Sequence, residues 1–448
     1  MEPPPELSTA FDPDAELPSY VGNVTSPWDV PPAQTEHSFG LKRKSGETWL
    51  SLTVCSRAVT DEDPPTFFQC GLITGSVKLN LEKEEIIGSV HISLVGRLSV
   101  YAHSASNFLN VSQQLWSSHE DTVKDPGRQP GKLQGQQEWP FSFRLPRGVS
   151  ILSHLDPDSM RKNFRLPPSL SDSASGVTVQ YELTVRVRRG RLRGGNKLFV
   201  PIMYIPQLRP CAPSILRQLA YQEQSPILGP ERDSEGWRAL HPVVIRGTLF
   251  KTRPVEVICT LSLARPLSYT RGTPLHLALA LECNDIQALD LFSTNGSITV
   301  SLIQRTSFGA DRPTQKSSAP RTSETSTDSV EMRSQELETA VWWRSAEDTL
   351  VQDRNKRSFS GEIQIPTHLA PRCSILSFTL DYAVVLYPFQ VVGFSSATSP
   401  KEPLISQKVE IVTAHAAGPR PRAYAPPGYE KSEQPRRTGI SWGGILVW

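Results

Sequence analysis

Two short strings at opposite ends of the chain hold the residues best suited to binding chemistry: Pro426-Pro427-Gly428-Tyr429 and Leu17-Pro18-Ser19-Tyr20. Adjacent prolines favour polyproline II, a left-handed helix of three residues per turn whose ring ridge exists before any partner arrives. Such a ridge wedges between the aromatic rings of a WW-type groove. The tyrosine then fills a neighbouring pocket with its hydroxyl still able to hydrogen-bond. Gly428 frees the backbone and adds up to about 1 kcal/mol to the ordering cost. One such peptide binds at about 10–100 μM, roughly 5–7 kcal/mol, and two engaging tandem grooves gain through effective concentration. The candidate WW-domain-binding residues are therefore Pro426, Pro427 and Tyr429, with Leu17, Pro18 and Tyr20 as an incomplete second copy. The same string also arises by chance in proline-rich tails, and Pro421-Arg422-Ala423-Tyr424, with half of it, is set aside.

A second constellation is basic. Arg186, Arg188, Arg189, Arg191 and Arg193 crowd the end of a strand-like run and its turn. Strand alternation places Arg186 and Arg188 on one face, opposite Val185 and Val187. A patch of this kind holds a phosphorylated peptide or anionic lipid headgroups. Equally, it is a solvated outer face whose charges discourage edge pairing. Ser317, Ser318, Thr322, Ser323 and Thr325 lie near basic residues in a polar stretch, which suits phosphorylation, each phosphate adding about −1.5 to −2 charges. The alternative there is a plain spacer.

Catalytic patterns are missing. There is no Gly-x-Ser-x-Gly, no His-Glu-x-x-His and no phosphate-cradling glycine loop, and the nine histidines are dispersed. Six cysteines without a Cys-x-x-Cys pair suit neither a disulfide framework nor a structural zinc site. No enzyme activity, metal or cofactor is expected, although an active site assembled only by the fold is a remaining alternative. A net charge of +2 gives no reason to expect nucleic acid as a partner. The acidic, proline-rich amino end lacks the form of a signal peptide, and no apolar run nears the roughly 20 residues of a membrane span. The apolar finish at 440–448 is too short to cross a bilayer, though its two tryptophans suit an interface.

These groups need elements to hold them. Residues 1–36 carry eight prolines and little periodicity, and read as a disordered tail. From 37 to 206 short runs alternate in step two: 48–54, 72–81, 86–101, 139–146, 177–189 and 198–205. Glu82-Lys83-Glu84-Glu85 reads as a turn joining two sequential antiparallel strands, and 105–138 reads as a long polar loop. Residues 207–236 form a connector with one short helix over 213–222. A second β-block spans 237–414, interrupted by a disordered insertion over 306–340, and 415–448 is a disordered tail bearing the Pro-Pro-x-Tyr motif. The expected fold class is all-β, two tandem immunoglobulin-like β-sandwiches with disordered tails.

Taken together, LITGSVKLNL (72–81), IIGSVHISLVG (86–96), WPFSFRLP (139–146), LPPS (166–169), VQYELTVRVRRG (179–190) and the tyrosine-bearing proline strings resemble the α-arrestins, the arrestin-related trafficking adaptors of fungi. The likeness covers 48–206 by pattern. Across 237–413 only the β-rich texture and position agree. It implies an arrestin fold in a cytoplasmic adaptor, recruited peripherally to the plasma membrane and endosomes. Such adaptors bring WW-domain ubiquitin ligases of the HECT class to membrane transporters or receptors, which are ubiquitinated and internalised. Leu17 departs from the motif at its first proline, and the buried phosphate-sensing charges of visual and β-arrestins are not assigned here. A retromer-type endosomal sorting scaffold, also an arrestin-like double sandwich, is the alternative; it would not require tyrosine-bearing proline strings.

Overall fold

The computed structural model describes residues 34–100, 104–119, 131–152, 161–172, 175–189, 195–294, 296–308, 331–345, 353–399 and 402–426. The amino-terminal half begins with β1 (Thr35–Lys42), β2 (Thr48–Ser56), β3 (Thr66–Phe68), β4 (Leu72–Val100), β5 (Ser104–Ser117) and β6 (Lys132–Arg144). It continues through β7 (Gly148–Leu152), β8 (Arg161–Arg165), β9 (Leu170–Asp172), β10 (Val177–Arg189) and β11 (Asn196–Ile205). Helix α1 (Ile215–Glu223) leads into the second half.

That half contains β12 (Trp237–Ala239), β13 (Val243–Leu249), β14 (Arg253–Ala264), β15 (Ser268–Thr270), β16 (Pro274–Glu282), helix α2 (Ile286–Phe292) and β17 (Val300–Phe308). It ends with β18 (Glu331–Thr339), β19 (Val341–Arg344), β20 (Lys356–Gln364), β21 (Cys373–Ile375), β22 (Phe378–Leu386), β23 (Phe394–Ser396) and β24 (Ile405–Val412). The chain is all-β, built as two β-sandwiches in tandem.

Alternation explains the layers. On β10 the side chains of Val177, Val179, Tyr181, Leu183, Val185 and Val187 are all buried, while Gln180, Arg186 and Arg188 face water. Each fully buried Val or Leu contributes about 1.5–3 kcal/mol of apolar transfer, which pins the register against a one-residue slip. β10 pairs antiparallel with β11 on one side and β4 on the other. In the second half, a seven-stranded sheet in the order β19-β20-β16-β14-β13-β23, with β12 on β14, accompanies a sheet in the order β15-β24-β22-β17-β18, with β21 on β22. Leu275, Leu277, Leu279 and Leu281 of β16 and Leu380, Tyr382, Val384 and Leu386 of β22 belong to one buried core.

Four sequence readings need correction. Residues 82–85 are not a turn, because β4 runs unbroken through them. Its first part lies between β2 and β6 and its second part between β10 and β5, so one strand serves both layers. The charged run is accommodated at the crossing, where Glu85 meets Arg43 at 2.7 Å and Arg189 at 3.6 Å. The polar stretch 105–138 is not one long loop, since it contributes most of β5 and the start of β6. β5 buries only Phe108 and Leu109 deeply, so its sequence shows little apolar alternation.

The insertion 306–340 is likewise shorter than expected: β17 reaches Phe308 and β18 occupies Glu331–Thr339. Among the described residues β18 pairs on one side only, with β17, and its polar side chains suit an edge position. Finally, residues 415–426 do not begin a disordered tail. They lie against the second sandwich and the connector.

Candidate functional site

The connector and the last described residues meet on the outer face of the seven-stranded sheet. Ser214 starts α1 by accepting the amide of Arg217 and donates its hydroxyl to Asp233 at 2.6 Å. Asp233 also accepts the amide of Gly236, so the helix start and the loop behind it share one carboxylate. Serine is favoured here because its side-chain oxygen satisfies an otherwise orphaned helical N–H. Gln224 ends the helix in the left-handed region, at φ 59°.

This helix is unusual in what it buries. Its inward side carries Arg217, Ala220 and Tyr221, while Ile215, Leu216 and Leu219 are exposed. The Arg217 guanidinium lies 4.6 Å from the centre of the Trp237 ring and donates to the carbonyl of Arg265 at 3.2 Å. Its Nε and Nη2 atoms have no hydrogen-bond partner among the described residues. Burial lowers its pKa, partly offset by the neighbouring Tyr221, Asp233 and Tyr269.

Beneath the helix, His276 of β16 stands opposite Glu362 of β20 in the antiparallel register. Both lie on the sheet face away from Leu275 and Leu277, the side on which strand alternation normally leaves polar residues in water. Here α1 and the carboxyl-terminal segment cover them, leaving His276 only 4% exposed. The Tyr221 ring lies 5.8 Å from that of His276, and the Tyr424 ring meets it edge-on at 5.7 Å. Burial and then the charge of Arg217 lower the pKa of His276 to about 3. The 3.9 Å approach of His276 Nδ1 to Glu362 Oε2 is therefore not an ion pair at neutral pH, because the ring is uncharged.

Glu362 instead serves the chain terminus. Its Oε2 accepts the amide of Tyr424 at 2.9 Å. Burial raises the Glu362 pKa, and the backbone N–H groups of Tyr424 and Ala425 pull it part of the way back. The Tyr424 hydroxyl donates to the carbonyl of Ala220 on α1 at 3.1 Å. Upstream, Thr413 and Ala414 donate their amides to the carbonyl of Leu208, at 3.2 and 2.9 Å. Leu208 returns its own amide to the Thr413 hydroxyl at 3.0 Å. Gly418, at φ +97°, lets the segment pass α1, since a Cβ there would sit 2.9 Å from Gln218 Oε1. Residues 413–425 are thus stitched to the connector, the helix and the sheet.

The basic constellation divides in two. Arg186 and Arg188 are exposed on the outer face of β10, with Arg186 opposite both His91 of β4 and Lys197 of β11. Burial, then Arg188 and Arg186, lower the pKa of His91. Among the described residues no carboxylate lies within ion-pair distance of Arg186, Arg188 or Lys197, whereas Arg97 further along the sheet is paired with Glu182 at 2.8 Å. Exposed Phe199 shares this face. Arg189 belongs elsewhere, as its guanidinium lies 4.3 Å from the Trp49 ring centre beside Glu85. A register shift after Arg188 turns it inward.

Of the other sequence-derived candidates, Pro426 follows directly on the anchored Ala425 and is half-buried. Pro427 and Tyr429, Leu17, Pro18 and Tyr20, Arg191 and Arg193, and Ser317, Ser318, Thr322, Ser323 and Thr325 lie outside the described residues. Sequence reasoning missed Arg217, His276, Glu362 and Tyr424 as a group. A polar residue on a strand face opposite Leu275 and Leu277 looks like ordinary solvated surface, and only the covering segments make it a site. Three of the six cysteines (Cys259, Cys283 and Cys373) are buried, and none of the six is paired. Among the described residues no helix is long and apolar enough to cross a membrane. No protein-family model matches the chain, and no curated protein matches it.

Proposed function

We propose that this chain is an adaptor of the α-arrestin kind. It brings a WW-domain ubiquitin ligase of the HECT class to cytoplasmic tails of membrane transporters or receptors, promoting their ubiquitination and internalisation. The chain itself contributes binding surfaces and no catalysis, and it works in the cytoplasm with peripheral recruitment to the plasma membrane and endosomes. What supports the reading is the placing of the Pro-Pro-Gly-Tyr string. It begins at Pro426, two residues beyond Tyr424, whose amide is tied to the body, so a groove bound there is carried beside a large β-built surface. The basic face of Arg186, Arg188 and Lys197, with no ion-pair partner among the described residues, gives that surface a charge suited to phosphorylated tails or anionic headgroups.

The test is capture of a purified tandem WW-domain fragment by the full chain. Tyr429→Ala should remove most of the capture, because the pocket filled by the ring is left empty. Undiminished capture by that variant refutes ligase recruitment through this motif.

A further inference from the structure

We infer that Tyr424 and Glu362 form an intramolecular clasp that opposes partner capture at the adjoining Pro-Pro-Gly-Tyr string, an inference that rests on the ligase-recruiting reading. Pro421-Arg422-Ala423-Tyr424 is more than a degenerate echo of the motif downstream. Its tyrosine is spent on the body, through the edge-on contact with His276, the hydroxyl hydrogen bond to Ala220 and the amide hydrogen bond to Glu362. Pro426, the first residue a WW groove would grip, lies two positions after Tyr424 and is half-buried.

A polyproline ridge is read from more than one side. Its prolines slot between aromatic rings, and the flanking backbone lies along the same groove. A partner closing over 426–429 therefore reaches a stretch anchored just upstream by the Tyr424 amide on Glu362. To seat fully, it must draw Ala425 and Tyr424 off the sheet. In population terms the competent state is the unclasped one, and the apparent dissociation constant is the intrinsic one divided by the unclasped fraction. Several features suit a releasable contact rather than a permanent one. Tyr424 is half-buried, whereas the core tyrosines Tyr181 and Tyr382 are fully covered. Two hydrogen bonds and one ring contact also lie on a single residue, Tyr424, near the end of the described chain.

The experiment compares three ligands for one purified WW-domain fragment by calorimetry: a synthetic peptide covering 419–432, the full chain, and the full chain carrying Tyr424→Ala. A fourth arm, Glu362→Gln, leaves the tail sequence untouched and weakens the acceptor. The peptide should bind about tenfold or more tighter than the full chain, and both variants should approach the peptide. Tyr424→Phe, which removes only the bond to Ala220, should fall between. If the peptide binds and the full chain matches it, or if neither variant tightens capture, the clasp is refuted while ligase recruitment stands. If the peptide itself does not bind, both readings fall. Amide exchange at Tyr424 checks the contact without any ligase: slow exchange in the wild type and fast exchange in Glu362→Gln is expected. Equally fast exchange in both proteins overturns the clasp.

Discussion

Acidification from pH 7 to pH 5 is expected to destabilise the carboxyl-terminal sandwich by about 2 kcal/mol through His276 alone. The ring is 4% exposed, lies between Tyr221 and Tyr424, and faces Arg217, so its pKa in the fold is about 3. In the unfolded chain it returns to about 6.5. Because the folded value is depressed, the unfolded state binds the proton first as pH falls. The stability due to the neutral ring is whole above about pH 6.5 and is lost progressively toward pH 3. At pH 5 the unfolded ring is almost fully charged and the folded ring almost fully neutral. That difference corresponds to roughly 1.5 pH units at about 1.36 kcal/mol each.

Glu362 acts in the opposite sense. Its raised pKa means the folded state takes up a proton before the unfolded state does, so lowering the pH relieves part of its burial penalty. The comparison that isolates His276 is therefore wild type against His276→Phe, each with and without Glu362→Gln. Urea titrations at pH 7, 6 and 5, followed by tryptophan fluorescence, supply the midpoints. The wild type should lose about 2 kcal/mol more than His276→Phe across that interval. Parallel pH dependence of the two proteins would refute a neutral buried imidazole.

Other perturbations give separate tests. In pull-downs of ligase WW domains, Tyr20→Ala added to Tyr429→Ala should cause a further but smaller loss. A larger loss from Tyr20→Ala than from Tyr429→Ala would invert the assignment of the main motif. Arg186→Glu combined with Arg188→Glu should weaken sedimentation with anionic vesicles, each arginine contributing about 1 kcal/mol at low salt. Unchanged binding leaves that face a solvated one. Gly96→Ala should lower stability by about 1–3 kcal/mol in the same urea assay, because its Cβ would lie 2.5 Å from the Phe108 ring. A neutral result would mean β5 gives way at that point.

Strands with a buried face were readable from alternation. The run 177–189 is β10 residue for residue, and 198–205 falls within β11. Their apolar sets recur in step two because one face meets a core and the other meets water. Strands that sit at an edge or cross between layers were not readable. β18 shows no apolar stripe, since among the described residues it is paired on one side only, and 82–85 looked like a turn, since four charged residues in a row normally end a strand. The helix over 213–222 was visible as a short pattern. That it buries Arg217 and shows Ile215, Leu216 and Leu219 to solvent was not.

Composition and local order alone determined that this chain would build sheets, and that its carboxyl end carries a proline ridge followed by a tyrosine. Those properties belong to neighbouring residues and to the geometry of single strands. Whether His276 and Glu362 would be wet or covered depended on segments about 60 to 150 positions away in sequence, as α1 and Tyr424 are brought over one face of one sheet. Burial by distant chain leaves no mark in the local pattern, so the tertiary structure alone decided that Tyr424 is an anchor.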